Sequence, residues 1–434
     1  MNEGSSGEYV VKAIASATLD KTKIKPSNSK VRFFKKFVTL SKKFVFITNR
    51  LLTFYHFYES VKNFYMLKQK ICIVGDGLSG LMTATVLSKV SGIEVNLIAK
   101  KGIKNADKRT TAISETNYKF INQNIRSLGQ KLFWPSKKIE LFYETPKENI
   151  NFLNLNEANS NLMYVFENDK IKKVLLTEIS KNKIKLIRKN LKNFNELKNY
   201  DLIILCIGGQ SKIYNNITKI RSIKKDYKEI AITGYVKHNF KTLNTSQFFL
   251  KEGPLAILPF SKNYFSFVWS VKKYFFENNS KKIATLVKNK LAENLKNKQD
   301  IIISNIQSYP VSLSLRRQYH QKNILILGEG LHTIHPVAGQ GFNLVLRDIK
   351  KLEEIIKYYV RLGISIKNSN ALNDFSNSRK PENTIMSLGV DATHSFFKQN
   401  KYLDPFKEII VKNIKNNETL KKFSKIISNR GLSL

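Results

Sequence analysis

Residues 70–100 read KICIVGDGLSGLMTATVLSKVSGIEVNLIAK: an apolar strand, a glycine-rich turn, a helix with apolar positions three or four apart, and a second strand. That order is a βαβ unit. Gly75 permits the tight turn, Gly77 lets the backbone approach a pyrophosphate, and Gly80 lets helix and strand pack closely. Phosphates would then sit at the helix N-terminus, where free N–H groups and the dipole favour negative charge. The expectation is a dinucleotide-binding domain rather than an ordinary glycine turn. One partner is missing, because the acid that usually meets the ribose hydroxyls is replaced by Ala99, followed by Lys100 and Lys101.

Beyond this unit, residues 168–180 read as a helix, KIKLIRK as a strand and DLIILCIGG as another buried strand. Strand-like runs between 227 and 315 (KEIAITGYV, GPLAILPF, NYFSFVWSV, DIIISNI), with one helical stretch near 280–296, predict a second, sheet-rich domain. KNILILGEG returns the chain to the first domain, and from Phe342 onward the pattern is helical. The first thirty residues are polar and without period. Phe33 to Tyr65 then carries an apolar stripe at helical spacing, with seven basic residues and one acid between 31 and 65. Three readings of residues 1–65 stay open: an over-long start, a helix packed on the body, or a basic amphipathic helix at a membrane interface.

The 434 residues are 42% apolar, with 28 Phe and 18 Tyr, which is ample for large cores and excludes global disorder. No run of eighteen apolar residues spans a bilayer, and the start lacks the pattern of a signal peptide. The two cysteines, Cys72 and Cys206, sit in apolar strands, which argues against a disulfide scaffold and suits a reducing cytoplasm. A cytoplasmic protein is expected, with peripheral attachment at the inner face of the membrane as the further reading of the basic stripe. The net charge of +41 is spread along the chain as single lysines among Asn and Ile. A compositional lean explains that spread; attraction to an anionic membrane is the second reading. No zinc-finger spacing, RNP-like motif or helix-turn-helix supports a nucleic-acid partner.

A second motif lies at Gly328–Asp348, GEGLHTIHPVAGQGFNLVLRD. A buried strand runs into Gly328-Glu329, and His335-Pro336 leads to Gly339, Gly341, Phe342 and Asn343 at a helix start. Glycines there admit a flat ring, and unpaired N–H groups offer an anion site suited to a reduced flavin. His332 and His335 are three apart, but no acid or cysteine cluster in the sequence completes a metal site, so structural or flavin-adjacent roles are expected. No G-x-S-x-G elbow or P-loop occurs.

From about residue 69 to the end, the chain resembles the FAD-dependent aromatic hydroxylases of ubiquinone biosynthesis, the 2-polyprenylphenol hydroxylase type. HPVAGQGFNLVLRD is similar to that family's second flavin motif, and Asp107-Lys-Arg109-Thr-Thr-Ala-Ile-Ser114 to the segment whose Arg contacts the cofactor. Glu167-Asn168, the strands over 253–271, and the spacing Arg379…Asn383…Asp391…Phe396 follow in the family's order. The resemblance implies an α/β fold. Its Rossmann-like FAD-binding domain would be discontinuous (69–130, 168–215, 320–365), with a sheet-rich substrate domain (131–167, 216–319) and C-terminal helices (366–434). It implies FAD held by Gly75, Gly77, Gly80, Arg109, Glu329, Pro336, Gly339, Gly341, Phe342 and Asn343, with NAD(P)H as reductant. O2 and a polyprenylphenol would be substrates, other ubiquinone-biosynthesis proteins would be partners, and no side chain would act as nucleophile. Three positions depart from the family: Ala99, Glu329 in place of Asp, and Ile207 where the Asp of Asp-Gly-x-x-Ser stands. The rival expectation is a degenerate member that binds lipid or acts as a scaffold.

Overall fold

The computed structural model describes residues 68–417 except 103–106, 127–128, 130–131, 192, 210, 212, 215–216, 218–219, 296–300, 399–403 and 415–416. The chain divides into two units, Met1–Leu67 and Lys68–Leu434. The first unit, and with it the amphipathic stripe over 33–65, lies outside the described residues.

β1 (Gln69–Val74) ends in four consecutive buried residues, as a strand covered on both faces requires. It turns through Gly75-Asp76-Gly77 into α1 (Leu78–Leu87), and β2 (Ile93–Ala99) returns parallel to β1. β3 (Thr110–Ser114) and α2 (Glu115–Asn124) follow, with Ser114 capping the helix from its side chain. The next strands are β4 (Trp134–Ser136), β5 (Lys138–Glu144), β6 (Asn149–Asn156) and β7 (Met163–Glu167). Then come α3 (Asn168–Lys181), β8 (Lys185–Arg188) and β9 (Leu202–Leu205).

After β10 (Ile223–Lys237), the strands β11 (Thr245–Leu250), β12 (Gly253–Ser261) and β13 (Tyr264–Lys272) form a meander whose last strand pairs back with β10. It leads through α4 (Lys273–Asn279) and α5 (Ile283–Leu295) to β14 (Ile302–Leu315). β15 (His320–Gln321), β16 (Ile324–Ile326) and β17 (His332–Thr333) precede three helices, α6 (Gly341–Arg361), α7 (Ala371–Phe397) and α8 (Asp404–Ile414).

The strands form three sheets. The first has the order β15-β16-β9-β1-β2-β8 and is parallel except at β15. The second has the order β17-β14-β10-β13-β12-β11-β5-β6 and is antiparallel except where β11 meets β5. The small third sheet, β3-β7-β4, was not foreseen from sequence; its strands are too short to show a period. Cys72 lies in β1 and Cys206 directly after β9, and burial pushes both thiols up to about 12. Among the described residues no helix is long and apolar enough to cross a membrane.

Candidate functional site

The two glycine turns open on the same cavity. At the first, a Cβ on Gly75 would stand 2.2 Å from the Cys206 carbonyl oxygen, and one on Gly80 would stand 1.9 Å from that of Gly75. Those two glycines exist for backbone packing. Gly77 differs, because a Cβ there meets nothing within 4 Å. It begins α1 without any side-chain cap, so the helix start faces the open space that Gly77 lines. At the second turn, Gly339 has φ +61° and leads to Gly341, the uncapped first residue of the 21-residue α6. A Cβ at Gly341 would reach only Ile334, at 4.0 Å. Gly208, with φ +82°, and Gly209 line the cavity between the two turns.

The cavity measures about 1910 Å³ and runs from these turns to the large antiparallel sheet and α7. Small-molecule sites usually measure about 300–1,000 Å³, so this one has room for a cofactor and a substrate together.

The remaining expected residues gather here in different ways. Arg109 donates from Nε and Nη2 to the two oxygens of Asp107, at 2.6 and 2.8 Å, and lies over the Tyr309 ring at 4.9 Å. The hydrogen bonds from Arg109 outweigh burial and hold the Asp107 carboxyl below its usual range. Asn168 Nδ2 also donates to Asp107, which explains the spacing of Asp107, Arg109 and Glu167-Asn168. Glu329 and Phe342 line the cavity; Glu329 is exposed, and among the described residues its carboxylate has no hydrogen-bond partner. Asn343 is committed inside the protein. Its Oδ1 accepts from the Ser114 N–H and Asn117 Nδ2, and its Nδ2 donates to the carbonyls of Ala112 and Gly339. Its side chain therefore braces the turn against β3. Ala99 is fully buried at the end of β2, with Lys100 exposed beside it.

Comparison with known proteins gives a consistent answer. A profile of the squalene epoxidase family matches residues 267–419. The ubiquinone biosynthesis monooxygenase COQ6, mitochondrial, of Dictyostelium discoideum is 24% identical over 418 residues, 76% of this chain and 84% of that one. The 3-demethoxyubiquinol 3-hydroxylase of Escherichia coli strain K12 is 27% identical over 158 residues, 36% of this chain and 40% of that one. Among solved structures, p-nitrophenol 4-monooxygenase PnpA of Pseudomonas putida superposes with a TM-score of 0.67 at 12% identity. That match covers 84% of this chain and all of the other. In sequence the chain is similar to FAD-dependent monooxygenases, and it shares their fold.

That similarity implies FAD, and the walls of this cavity suit it. Two uncapped helix starts meet the needs of anionic groups, and the open side of Gly77 leaves the room a backbone-hugging ligand requires.

Two buried polar knots join residues whose pairing the sequence does not show. In the first, His332 Nε2 lies 2.6 Å from Asp348, which also accepts from Arg379 Nε at 2.7 Å and Asn383 Nδ2 at 3.0 Å. Burial opposes ionisation of Asp348, but His332 and Arg379 outweigh it and lower its pKa. In the second, His335 and His394 each place Nε2 3.1 Å from one oxygen of Glu229, while Lys272 bonds the other oxygen. Tyr227 packs edge-on to both rings and donates its hydroxyl to Asp391. Arg379, Asn383, Asp391 and His394 all belong to α7.

Glu229, His335 and His394 approach within metal-ligand distance of one another. The chemistry does not suit a cation. Val337 N–H donates to His335 Nδ1, so the ring proton sits on Nε2, the atom a metal would need. The Lys272 ammonium already neutralises the carboxylate. Glu229 and His394 join a site whose sequence signal was only a charge opening an apolar strand and a histidine on a helix.

Proposed function

We propose that this chain is an aromatic-ring hydroxylase of ubiquinone biosynthesis that adds a hydroxyl group to a polyprenylated phenol, using FAD, NAD(P)H and O2. The observation that carries the reading is the single cavity joining both uncapped glycine turns to an apolar sheet wall. The COQ6 and 3-demethoxyubiquinol 3-hydroxylase relatives support the pathway by their names. Bound FAD, reduced by NAD(P)H, would supply the activation of O2, one atom entering the ring and the other leaving as water.

The chain's own residues bind and orient. Gly77 and the start of α1 would hold the pyrophosphate, with Gly75 and Gly80 shaping that turn; Gly339, Gly341 and Phe342 after Pro336 would hold the ring system. Arg109, aligned by Asp107, and Glu329 would meet the polar parts of the cofactor. Asn343 serves by bracing the second turn. The apolar walls exclude water from the reacting centre. No nucleophilic side chain is required.

The test is the purified protein's visible spectrum, followed by NAD(P)H consumption with a short-tailed polyprenylphenol under ¹⁸O₂. Near-stoichiometric flavin and one labelled oxygen in the product are expected. The second reading, a member that binds lipid without catalysis, draws on the altered positions Ala99, Ile207 and Glu329. A colourless protein that takes up no FAD would favour it.

A further inference from the structure

Cross-strand register aligns Thr233, Val268, Ala256, Gln247, Leu141 and Leu153 in one row over six adjacent strands, β10, β13, β12, β11, β5 and β6. Directly paired residues share a face of the sheet, and all six line the cavity. The row is apolar except at Thr233 and Gln247, which lie three strands or about 14 Å apart. From Gln247 it continues to Leu141 and Leu153, toward the wall that carries Phe397.

Gln247 is the anomaly. It is only 9% exposed, on a strand whose every residue is buried. Its Nε2 makes one hydrogen bond, at 3.5 Å to the carbonyl of its neighbour Phe248, at the outer limit of such bonds. Among the described residues its Oε1 accepts none. A buried amide with one marginal hydrogen bond costs stability, and packing alone would favour Leu or Val at this position. Pro336 and Val337, from the loop leading to Gly341, line a small gap together with Gln247, Ala256 and Val268. The under-bonded amide therefore stands where the sheet wall faces the cofactor-side loop.

We propose that Gln247 is the specificity-determining residue of this cavity: its amide hydrogen-bonds the ring hydroxyl of a phenol, and the Leu141–Leu153 side takes the ring's apolar substituent. The assignment rests on the proposed function and deepens it by naming the group that recognises the ring. A site built to bond a hydroxyl rejects the analogue that cannot donate one. An alkyl substituent on the ring would run along the row, away from Thr233.

The probes are 4-heptylphenol and its methyl ether, titrated calorimetrically into the full chain with FAD added. The wild-type chain should prefer the phenol by about tenfold, the effect of one hydrogen bond. In Gln247→Met, which keeps length and shape, that preference should fall to about twofold or less with flavin content unchanged. A preference that survives in Gln247→Met, or that is absent from the wild-type chain, overturns the assignment. Gln247→Leu is the second variant should the first misfold, and the wild-type comparison needs no variant. A chain that takes up no flavin yet shows a Gln247-dependent phenol preference supports this assignment while counting against the proposed function.

Discussion

His335 and His394 stack with ring centroids 4.2 Å apart and share one carboxylate oxygen of Glu229. The first histidine belongs to the loop before Gly341 and the second to α7, while Glu229 stands on the large sheet. One buried carboxylate thus fastens three parts of the fold around the cavity. Burial alone would raise its pKa, but hydrogen bonds from His335, His394 and Lys272 hold it well below the usual carboxylate range.

Removing that carboxylate strands Lys272 and both imidazole N–H groups. Glu229→Ala should lose about 3–5 kcal/mol in urea unfolding, the usual consequence of breaking a buried ion pair from one side. Glu229→Gln should recover part of the loss, because an amide oxygen still accepts from a histidine. Wild-type stability in Glu229→Ala would remove the knot from any account of the fold.

Acid should loosen the same knot. Burial lowers the pKa of His335 from 6.5, and protonating its Nδ1 would break the bond from Val337 N–H. The unfolded chain takes up a proton near pH 6.5 while the folded chain does not, so stability falls as pH drops below that value. Each unit of depression corresponds to about 1.4 kcal/mol. Glu229 acts in the same direction lower down: its contribution is complete above the ordinary carboxylate pKa of 4.5 and is lost as pH falls toward its depressed folded value. Melting temperatures measured between pH 7.5 and 5 should slope downward, and His335→Gln should flatten that slope. An equal slope in the variant would assign the acid sensitivity elsewhere.

The glycines should separate by what a side chain would strike. Gly80→Ala forces a Cβ against the Gly75 carbonyl and should prevent folding or sharply lower the melting temperature. Gly77→Val meets open space, so it should fold normally while weakening FAD by at least about tenfold, roughly 1.4 kcal/mol. Circular dichroism and flavin titration read the two effects independently. Unchanged FAD affinity in Gly77→Val would place the pyrophosphate elsewhere.

Glu329 and Asn343 offer the opposite contrast. Glu329 is exposed and its carboxylate unbonded, so Glu329→Ala should leave stability unchanged. If the side chain accepts from a cofactor hydroxyl, FAD affinity should fall by about ten- to a hundredfold, or 1.5–3 kcal/mol. Asn343→Ala leaves buried backbone groups of Ser114, Ala112 and Gly339 unpaired and should cost at least about 1–3 kcal/mol before any ligand is added. Denaturant midpoints with and without FAD distinguish the two roles.

What the sequence made legible was local. The βαβ unit, the helix over Asn168–Lys181 and the buried strand before Gly328 each announce themselves within a dozen residues through period and glycine placement. His332 and His335 could be singled out, but their carboxylates could not be paired with them. Glu229 comes from a strand far upstream, and Asp348 is recognised as a partner only once α6 and β17 are packed. Gln247 is invisible for the same reason: TSQFFL reads as an ordinary strand until register sets the amide in a row of apolar neighbours. Asn343 was legible as a site residue, and its service as a brace became visible only through its four protein partners.

The two knots on α7 also set a rule for recombination. Arg379 and Asn383 answer Asp348, and His394 and His335 both answer Glu229, so Glu229 and residues 328–348 and 379–394 form one block split in the chain. A chimera that borrows only the glycine-rich loop from a relative would import histidines and an aspartate whose counterparts stay behind. Shuffling libraries built on this scaffold should therefore yield folded members mainly where both segments and the strand bearing Glu229 share a parent, whichever parent supplies the βαβ unit.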